Sequence, residues 1–335
     1  MKIWKHTDSF TFKNPVVTIG IFDGVHLGHR HVLKQLIRAA EQFSGESVVI
    51  TLWPHPRLVL NKDPENLKYL TSLAEKTILL NESDVDHLIV IDFTNEFAQL
   101  DSCEFIKDFL VDRVGIKNLV IGYNQKFGKD REGDFQILKS CAKIFNFSVE
   151  QSKPLTEKGQ MISSTIIREK LLSGDLDGAN HGLGYEYFLQ GKVIGGNRKG
   201  REIGFPTANI IPPDEHKLIP MDGVYAVGIK IDDSLHQGMM NIGYRPTVNL
   251  SEPVKTIEVN IFNFEDDVYG KDITIYFSKR LRDEIKFNSI EQLTEQLVKD
   301  KKNALKCLGM RGMRGHESTN VPGLPGNRNN KLKQK

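Results

Sequence analysis

The 335-residue chain has little cysteine and little tryptophan: Cys103, Cys141 and Cys307 are its only thiols, and there are two tryptophans. Three scattered cysteines are too few for a disulfide framework or a zinc ribbon. Long apolar runs are missing as well. No uninterrupted apolar stretch approaches the ~18 residues of a membrane-spanning helix, and the opening MKIWKHTDSF lacks a signal-peptide core. Nor does one sign of charge dominate. Forty-five Lys and Arg face 43 Asp and Glu, and a formal net charge of +2 makes no case for a nucleic-acid or membrane partner. No internal repeat is present. These absences predict a reduced, soluble, cytoplasmic protein.

What is present is a change of rhythm along the chain. Apolar, β-branched runs at 15–22, 47–53, 87–92 and 118–123 read as buried strands. Helical patterns follow them, with Leu33, Leu36, Ile37 and Ala40 at helical spacing and further helices near 72–81, 102–113 and 134–146. Alternation of this kind predicts a Rossmann-like parallel sheet that binds ligands at the carboxyl ends of its strands. After about residue 184 the helices stop. Strands at 187–195, 223–231, 236–243, 256–264 and 272–279 are separated by Gly, Pro, Asp and Asn turns, and one amphipathic helix at about 289–307 follows. That pattern predicts a small antiparallel β-barrel closed by a C-terminal helix. Expected domains are 1–184 and 185–308, with residues 163–182 a helical bridge. From Gly309 six Lys and Arg stand against one Glu among Gly, Asn and Pro, which reads as a disordered basic tail over 309–335.

Two stretches carry chemistry. The first is GIFDGVHLGH, from Gly20 to His29, between the first strand and its helix. Its glycines are four apart, unlike the dinucleotide fingerprint, and no Gly-Lys-Ser/Thr follows as a P-loop requires. A glycine-rich turn that enters a helix offers free N–H groups and a favourable dipole to a polyphosphate. His26 and His29 would line the same opening and donate to phosphate oxygens as charge develops on pyrophosphate. Two histidines without a third strong ligand make a poor zinc site. Further on, Ser163, Ser164 and Thr165 open a helical segment, where their hydroxyls suit N-caps or phosphates equally.

The second stretch runs from Gly191 to Asn209. Gly195 and Gly200 have P-loop spacing, but Arg201-Glu202 follows where Lys-Ser/Thr is needed, so a Walker-type kinase is excluded. A glycine-rich flap bearing Arg198, Lys199 and Arg201 remains able to cover phosphates. Thr207 and Asn209, two apart in Pro-Thr-Ala-Asn, lie on one face of an extended segment and suit a hard Mg²⁺ ion. In KTIEVNIF, Glu258 faces away from Ile257, Val259 and Ile261, as on an ordinary surface strand or at a ligand-lined barrel mouth.

GIFDGVHLGH resembles the H-x-G-H signature of nucleotidyltransferases, in the form found in bacterial FAD synthetases. Trp53-Pro-His-Pro56, Gly122-Tyr-Asn-Gln-Lys-Phe-Gly128 and Ile162-Ser-Ser-Thr-Ile-Ile-Arg168 fit the same module. Residues 187–308 resemble riboflavin kinase through Gly-Phe-Pro-Thr-Ala-Asn209, Asp222-Gly-Val-Tyr225, Asn241-Ile-Gly-Tyr-Arg-Pro-Thr247 and Thr256-Ile-Glu-Val259. Together these resemblances imply the bifunctional riboflavin kinase/FMN adenylyltransferase family, with ATP, riboflavin and FMN as substrates and Mg²⁺ as cofactor. They imply that Gly20, Phe22, Asp23, Gly24 and Asn124 contact nucleotide, and that Ser164, Thr165 and Arg168 hold phosphates. In the second module they imply ATP contacts from Gly195, Arg198, Lys199 and Gly204, magnesium and ATP-phosphate ligation by Thr207 and Asn209, and Glu258 as general base. Where the family pattern has Leu-Gly-Arg, Tyr185 follows Leu183-Gly184. A single-activity enzyme, or a flavin- or nucleotide-binding regulator without turnover, is the alternative reading.

Overall fold

A computed structural model describes residues 1–61, 67–123, 135–157, 160–195, 199–245 and 254–314. The chain divides into two compact units, Met1–Ser164 and Thr165–Lys335, and the division falls inside the helical segment read as a bridge.

In the first unit six strands pair in parallel: β1 (Lys2–Lys5), β2 (Val16–Ile19), β3 (Ser47–Trp53), β4 (His87–Asp92), β5 (Asn118–Ile121) and β6 (Ser148–Gln151). Their order is β1-β4-β3-β2-β5-β6. From β2 the chain moves one way to β3 and β4, then crosses back to place β5 on the other side of β2. The order therefore reverses between β2 and β5, and in open α/β sheets the crevice at such a reversal is where ligands bind. Fully buried Val17, Val48, Ile50, Ile89 and Ile91 form the core of the strands. Ile106, Leu110, Leu138 and Ala142 pack on that face, while the helix Leu27–Gln42 contacts β2, β3 and β5 and buries Leu33, Leu36, Ala39 and Ala40. A two-residue hairpin, β7 (Thr156–Glu157) with β8 (Gln160–Met161), leads to the helix Ser164–Leu172.

One expected helix differs in kind. Residues 102–113 form a short turn, Ser102–Glu104, capped by Asp101, and then a π-helix over Phe105–Val111. The stacked rings of Phe105 and Phe109, 5.5 Å apart, both sit against the core, and the widened register accommodates them: Asp112 N–H donates to the Lys107 carbonyl and Val114 N–H to that of Phe109.

In the second unit, β9 (Phe188–Ile194), β10 (Ala208–Ile211), β11 (Gly223–Ile231), β12 (Ser234–Arg245), β13 (Val254–Ile261) and β14 (Asp272–Arg282) close a barrel in the order β10-β13-β12-β11-β14-β9. The expectation of an antiparallel barrel holds, with β10 as a sixth strand that periodicity did not single out. The C-terminal helix Ile290–Arg314 packs Ala304 and Leu308 on Ala226, Met239 and Phe262. It is anchored by Asp300, 1% exposed, which accepts from Arg282 Nε and Nη2 at 3.0 and 2.7 Å on Oδ2 and from Gln296 Nε2 at 2.9 Å on Oδ1. This helix continues through residues 309–314, into the stretch read as tail; residues 315–335 lie outside the described residues.

Candidate active sites

The turn from Gly20 to His26 leaves the carboxyl end of β2 beside the strand-order reversal. Its backbone is strained, because buried Phe22 and Val25 have φ of 50° and 35° next to Gly24 at 80°. Non-glycine residues in this region cost about 1–3 kcal/mol each and persist only where their surroundings over-determine them. Asp23 and its neighbours do so. Buried Asp23 Oδ1 accepts the N–H groups of Leu70 at 2.8 Å and Thr71 at 3.1 Å, and Thr71 Oγ1 accepts from Gly24 N–H at 3.0 Å. From another side Ser164 Oγ donates to the Asp23 carbonyl at 2.9 Å.

The spacing of the two imidazoles is that of a helix cap. His26 is the N-cap of Leu27–Gln42, and its Nδ1 accepts the His29 N–H at 3.3 Å, which places His29 at the third helical position. An accepting Nδ1 leaves the His26 proton on Nε2. The rings stack with centroids 3.7 Å apart and planes 17° apart. Gly28 makes room for this, since a Cβ there would stand 3.1 Å from the His26 ring. His29 Nδ1 is buried without a hydrogen-bond partner among the described residues. Burial, then His26 and Lys76, hold the His29 imidazole well below its ordinary pKa, so it is neutral at pH 7. Two stacked imidazoles at a helix N-terminus, that of His29 neutral, are prepared for negative charge.

Sequence reasoning missed Lys76. It sits in the helix Leu73–Asn81 with Leu79 and Leu80 at i+3 and i+4, at a core position where periodicity expects an apolar residue. It is 1% exposed; Nζ donates to Thr51 Oγ1 at 3.4 Å and lies 5.3 Å from the Trp53 ring centroid. Burial lowers its pKa to about 8, opposed by the attraction of Asp23. The turn thus has a buried ammonium behind it. The detectable signal was a lysine in the apolar stripe of an otherwise ordinary helix.

In the barrel, Asn209 of β10 pairs with Glu258 of β13, and Glu258 pairs in turn with Asn241 of β12. Directly paired residues of antiparallel strands project to one face, so these three form a polar row. Ile257, Val259 and Ile261 are buried on the other face, as the alternation predicts. Thr207 Oγ1 donates to Glu258 Oε2 at 3.3 Å, and Asn260 Nδ2 donates to the Pro206 carbonyl at 2.6 Å, which ties the Pro-Thr-Ala-Asn segment to β13. Before it, the short helix Lys199–Glu202 folds back so closely that a Cβ on Gly200 would meet the Phe205 carbonyl oxygen at 2.2 Å. Gly204 turns with φ of 78°. A hydroxyl, an amide and a carboxylate gathered here are all hard oxygen donors, the set that fits Mg²⁺. Among the described residues no group of three or more His, Cys, Asp or Glu is poised for a metal.

The structure thus brings together Gly20, Phe22, Asp23, Gly24, His26, His29 and Ser164 in one place, and Thr207, Asn209 and Glu258 in another. Asp23 spends at least one carboxylate oxygen on the fold. Thr165 and Arg168 follow Ser164 on its helix and fall in the second unit. Gly195 ends the described part of the flap and Lys199 resumes it, while Asn124 and Arg198 lie outside the described residues.

Comparison with known proteins agrees with both family resemblances. The sequence matches the FAD synthetase family over residues 9–166 and riboflavin kinase over 183–308. It is 39% identical to the bifunctional riboflavin kinase/FMN adenylyltransferase of Listeria monocytogenes, covering 89% of this chain and 93% of that protein. The protein of the same name from Bacillus subtilis is 38% identical over 87% and 92%, and that of Escherichia coli K12 35% identical over 88% and 93%. A crystal structure from Streptococcus pneumoniae, described as a macrolide-efflux protein, shares the fold with a TM-score of 0.81 at 32% identity, covering 90% of this chain and 97% of that one. No helix among the described residues is long and apolar enough to cross a membrane. With a histidine-capped turn on a parallel sheet, a Thr-Asn-Glu cluster on a barrel wall and these relatives along nearly its whole length, the chain belongs to the bifunctional riboflavin kinase/FMN adenylyltransferase family.

Proposed function

We propose that residues 185–308 phosphorylate riboflavin to FMN with ATP, and that residues 1–184 adenylylate FMN to FAD with a second ATP and release pyrophosphate. The observation that carries the reading is the stacked His26–His29 pair capping a helix at the reversal of the parallel sheet.

In adenylyl transfer an FMN phosphate oxygen attacks the α-phosphorus of ATP and the bond to pyrophosphate breaks. The chain has to position both partners and stabilise the departing charge; no covalent nucleophile is needed. Free N–H groups of the first helical turn and the imidazole N–H groups of His26 and His29 donate to the phosphates. Because the His29 imidazole is neutral beforehand, it binds charge as it develops rather than holding a counter-ion in advance. Lys76 adds a fixed positive charge behind them. Ser164, Thr165 and Arg168 keep the phosphate role that the family resemblance gives them.

In the kinase reaction the riboflavin 5′-hydroxyl attacks the γ-phosphorus of ATP. Glu258 takes the hydroxyl proton, and the Thr207 hydroxyl holds its carboxylate in place. Thr207 and Asn209 would hold magnesium, which when bound neutralises charge on the triphosphate.

Incubation with riboflavin and ATP as sole substrates tests both halves at once. FMN should form first, then FAD with pyrophosphate. Accumulation of FMN without FAD would remove the assignment of residues 1–184.

A further inference from the structure

Cys103 and Cys141 stand 38 residues apart in sequence, yet the fold brings their sulfurs to 3.2 Å. Cys103 lies in the Ser102–Glu104 turn and is exposed; Cys141 lies on the helix Phe135–Phe145 and is 3% exposed within the core of the first unit. Neither thiol has a part in the two transfers. We propose that this pair is a thiol–disulfide exchange site, which small-molecule disulfides of the glutathione class convert to an intramolecular Cys103–Cys141 bridge.

The geometry assigns the order of events. The exposed Cys103 sulfur, as thiolate, attacks one sulfur of the small disulfide and expels one small thiolate, leaving a mixed disulfide on Cys103. Cys141 then loses its proton and attacks the Cys103 sulfur, forming the protein bridge and releasing the second small thiol. Two protein thiols are oxidised and one small disulfide is reduced to two thiols, so electrons and protons balance. Burial, and then the contact with Cys103, pushes the Cys141 thiol up to about 11, which suits it to the resolving role and leaves first attack to Cys103. Closing the sulfurs to a bond of about 2.05 Å needs roughly 1.2 Å of approach. The π-helix that begins at Phe105 gives the Cys103 side a backbone register other than a rigid α-helix. Cys307, in the second unit, has no thiol beside it among the described residues and serves as an internal control.

The test uses the full-length protein with oxidised glutathione, followed by thiol titration, intact mass and peptide mapping under non-reducing conditions. Free thiols should fall from the three of the reduced chain to one. The mass should drop by two hydrogens, the mapped bridge should join Cys103 to Cys141, and dithiothreitol should reverse it. Cys141→Ser should stop at one retained glutathione on Cys103. A wild-type protein that keeps glutathione on Cys103 without resolving it, that retains all three thiols, or that cross-links chains through Cys103 or Cys307 would overturn the proposal.

Discussion

The two proposed ATP sites of this chain stand on opposite kinds of support. The first is a turn: strained at Phe22 and Val25, pinned by Asp23, Thr71 and Ser164, with its chemical groups on the opening of a helix. The second is a strand wall, in which Asn209, Glu258 and Asn241 are positioned by ladder register and need no strain at all. The difference follows from what each reaction asks. Stabilising a departing pyrophosphate needs several donors converging on one point, which a helix N-terminus and its cap supply. Taking a proton from a hydroxyl needs one carboxylate at a set distance, which any well-registered strand supplies.

If the sites are separate, damage to one should spare the other. Glu258→Ala should lower riboflavin phosphorylation about 10²–10⁴-fold, the usual contribution of a general base, while FAD formation from supplied FMN stays near wild type. His29→Ala should do the reverse, with about a 10²–10³-fold fall in FAD formation and FMN formation unchanged. Steady-state assays with riboflavin or FMN as substrate distinguish the two patterns, and joint loss in either variant would contradict separate sites. Asp300→Ala leaves the half-buried Arg282 without its carboxylate and should destabilise the second unit, by less than the about 3–5 kcal/mol of a fully buried pair. Thermal unfolding of each unit would show whether the damage stays on the barrel side.

The smallest effect concerns Lys76. Its pKa falls from the usual 10.5 to about 8 on folding, so between those values the unfolded chain binds more protons. Stability from this group therefore rises as pH increases from about 8 to about 10.5. Cys141, raised from 9.0 to about 11, acts in the opposite sense in the same unit, so the comparison of wild type with Lys76→Met isolates the lysine. Denaturant unfolding across this window should show wild type gaining on the variant, and parallel curves would count against a buried charge at Lys76.

Much of the architecture was readable in the residues. β3, β4 and β11 are long, apolar runs bounded by turn residues, and their expected ends coincide with the observed ones. β1, β6 and β10 are four residues each, and the polar make-up of KIWK and SVEQ hides them from a search for apolar periodicity. The π-register of Phe105–Val111 depends on how Phe105 and Phe109 stack in the core, which no local pattern encodes. At the sites, His26, His29 and Thr207 were legible from motif and chemistry, and Glu258 through the family resemblance alone. Lys76 and the Cys103–Cys141 contact were not, because each depends on which distant segments meet.

The barrel's shortest stave has one more implication. β10 shares only Ala208 and Asn209 with β13 and three positions with β9, whereas β11 and β12 are joined along nine. The wall is therefore thinnest where Asn209 stands. Amide deuterium uptake should begin at 208–211 well before it reaches 223–231, so that a nucleotide entering the kinase site would meet a seam able to breathe beside a frame that stays shut.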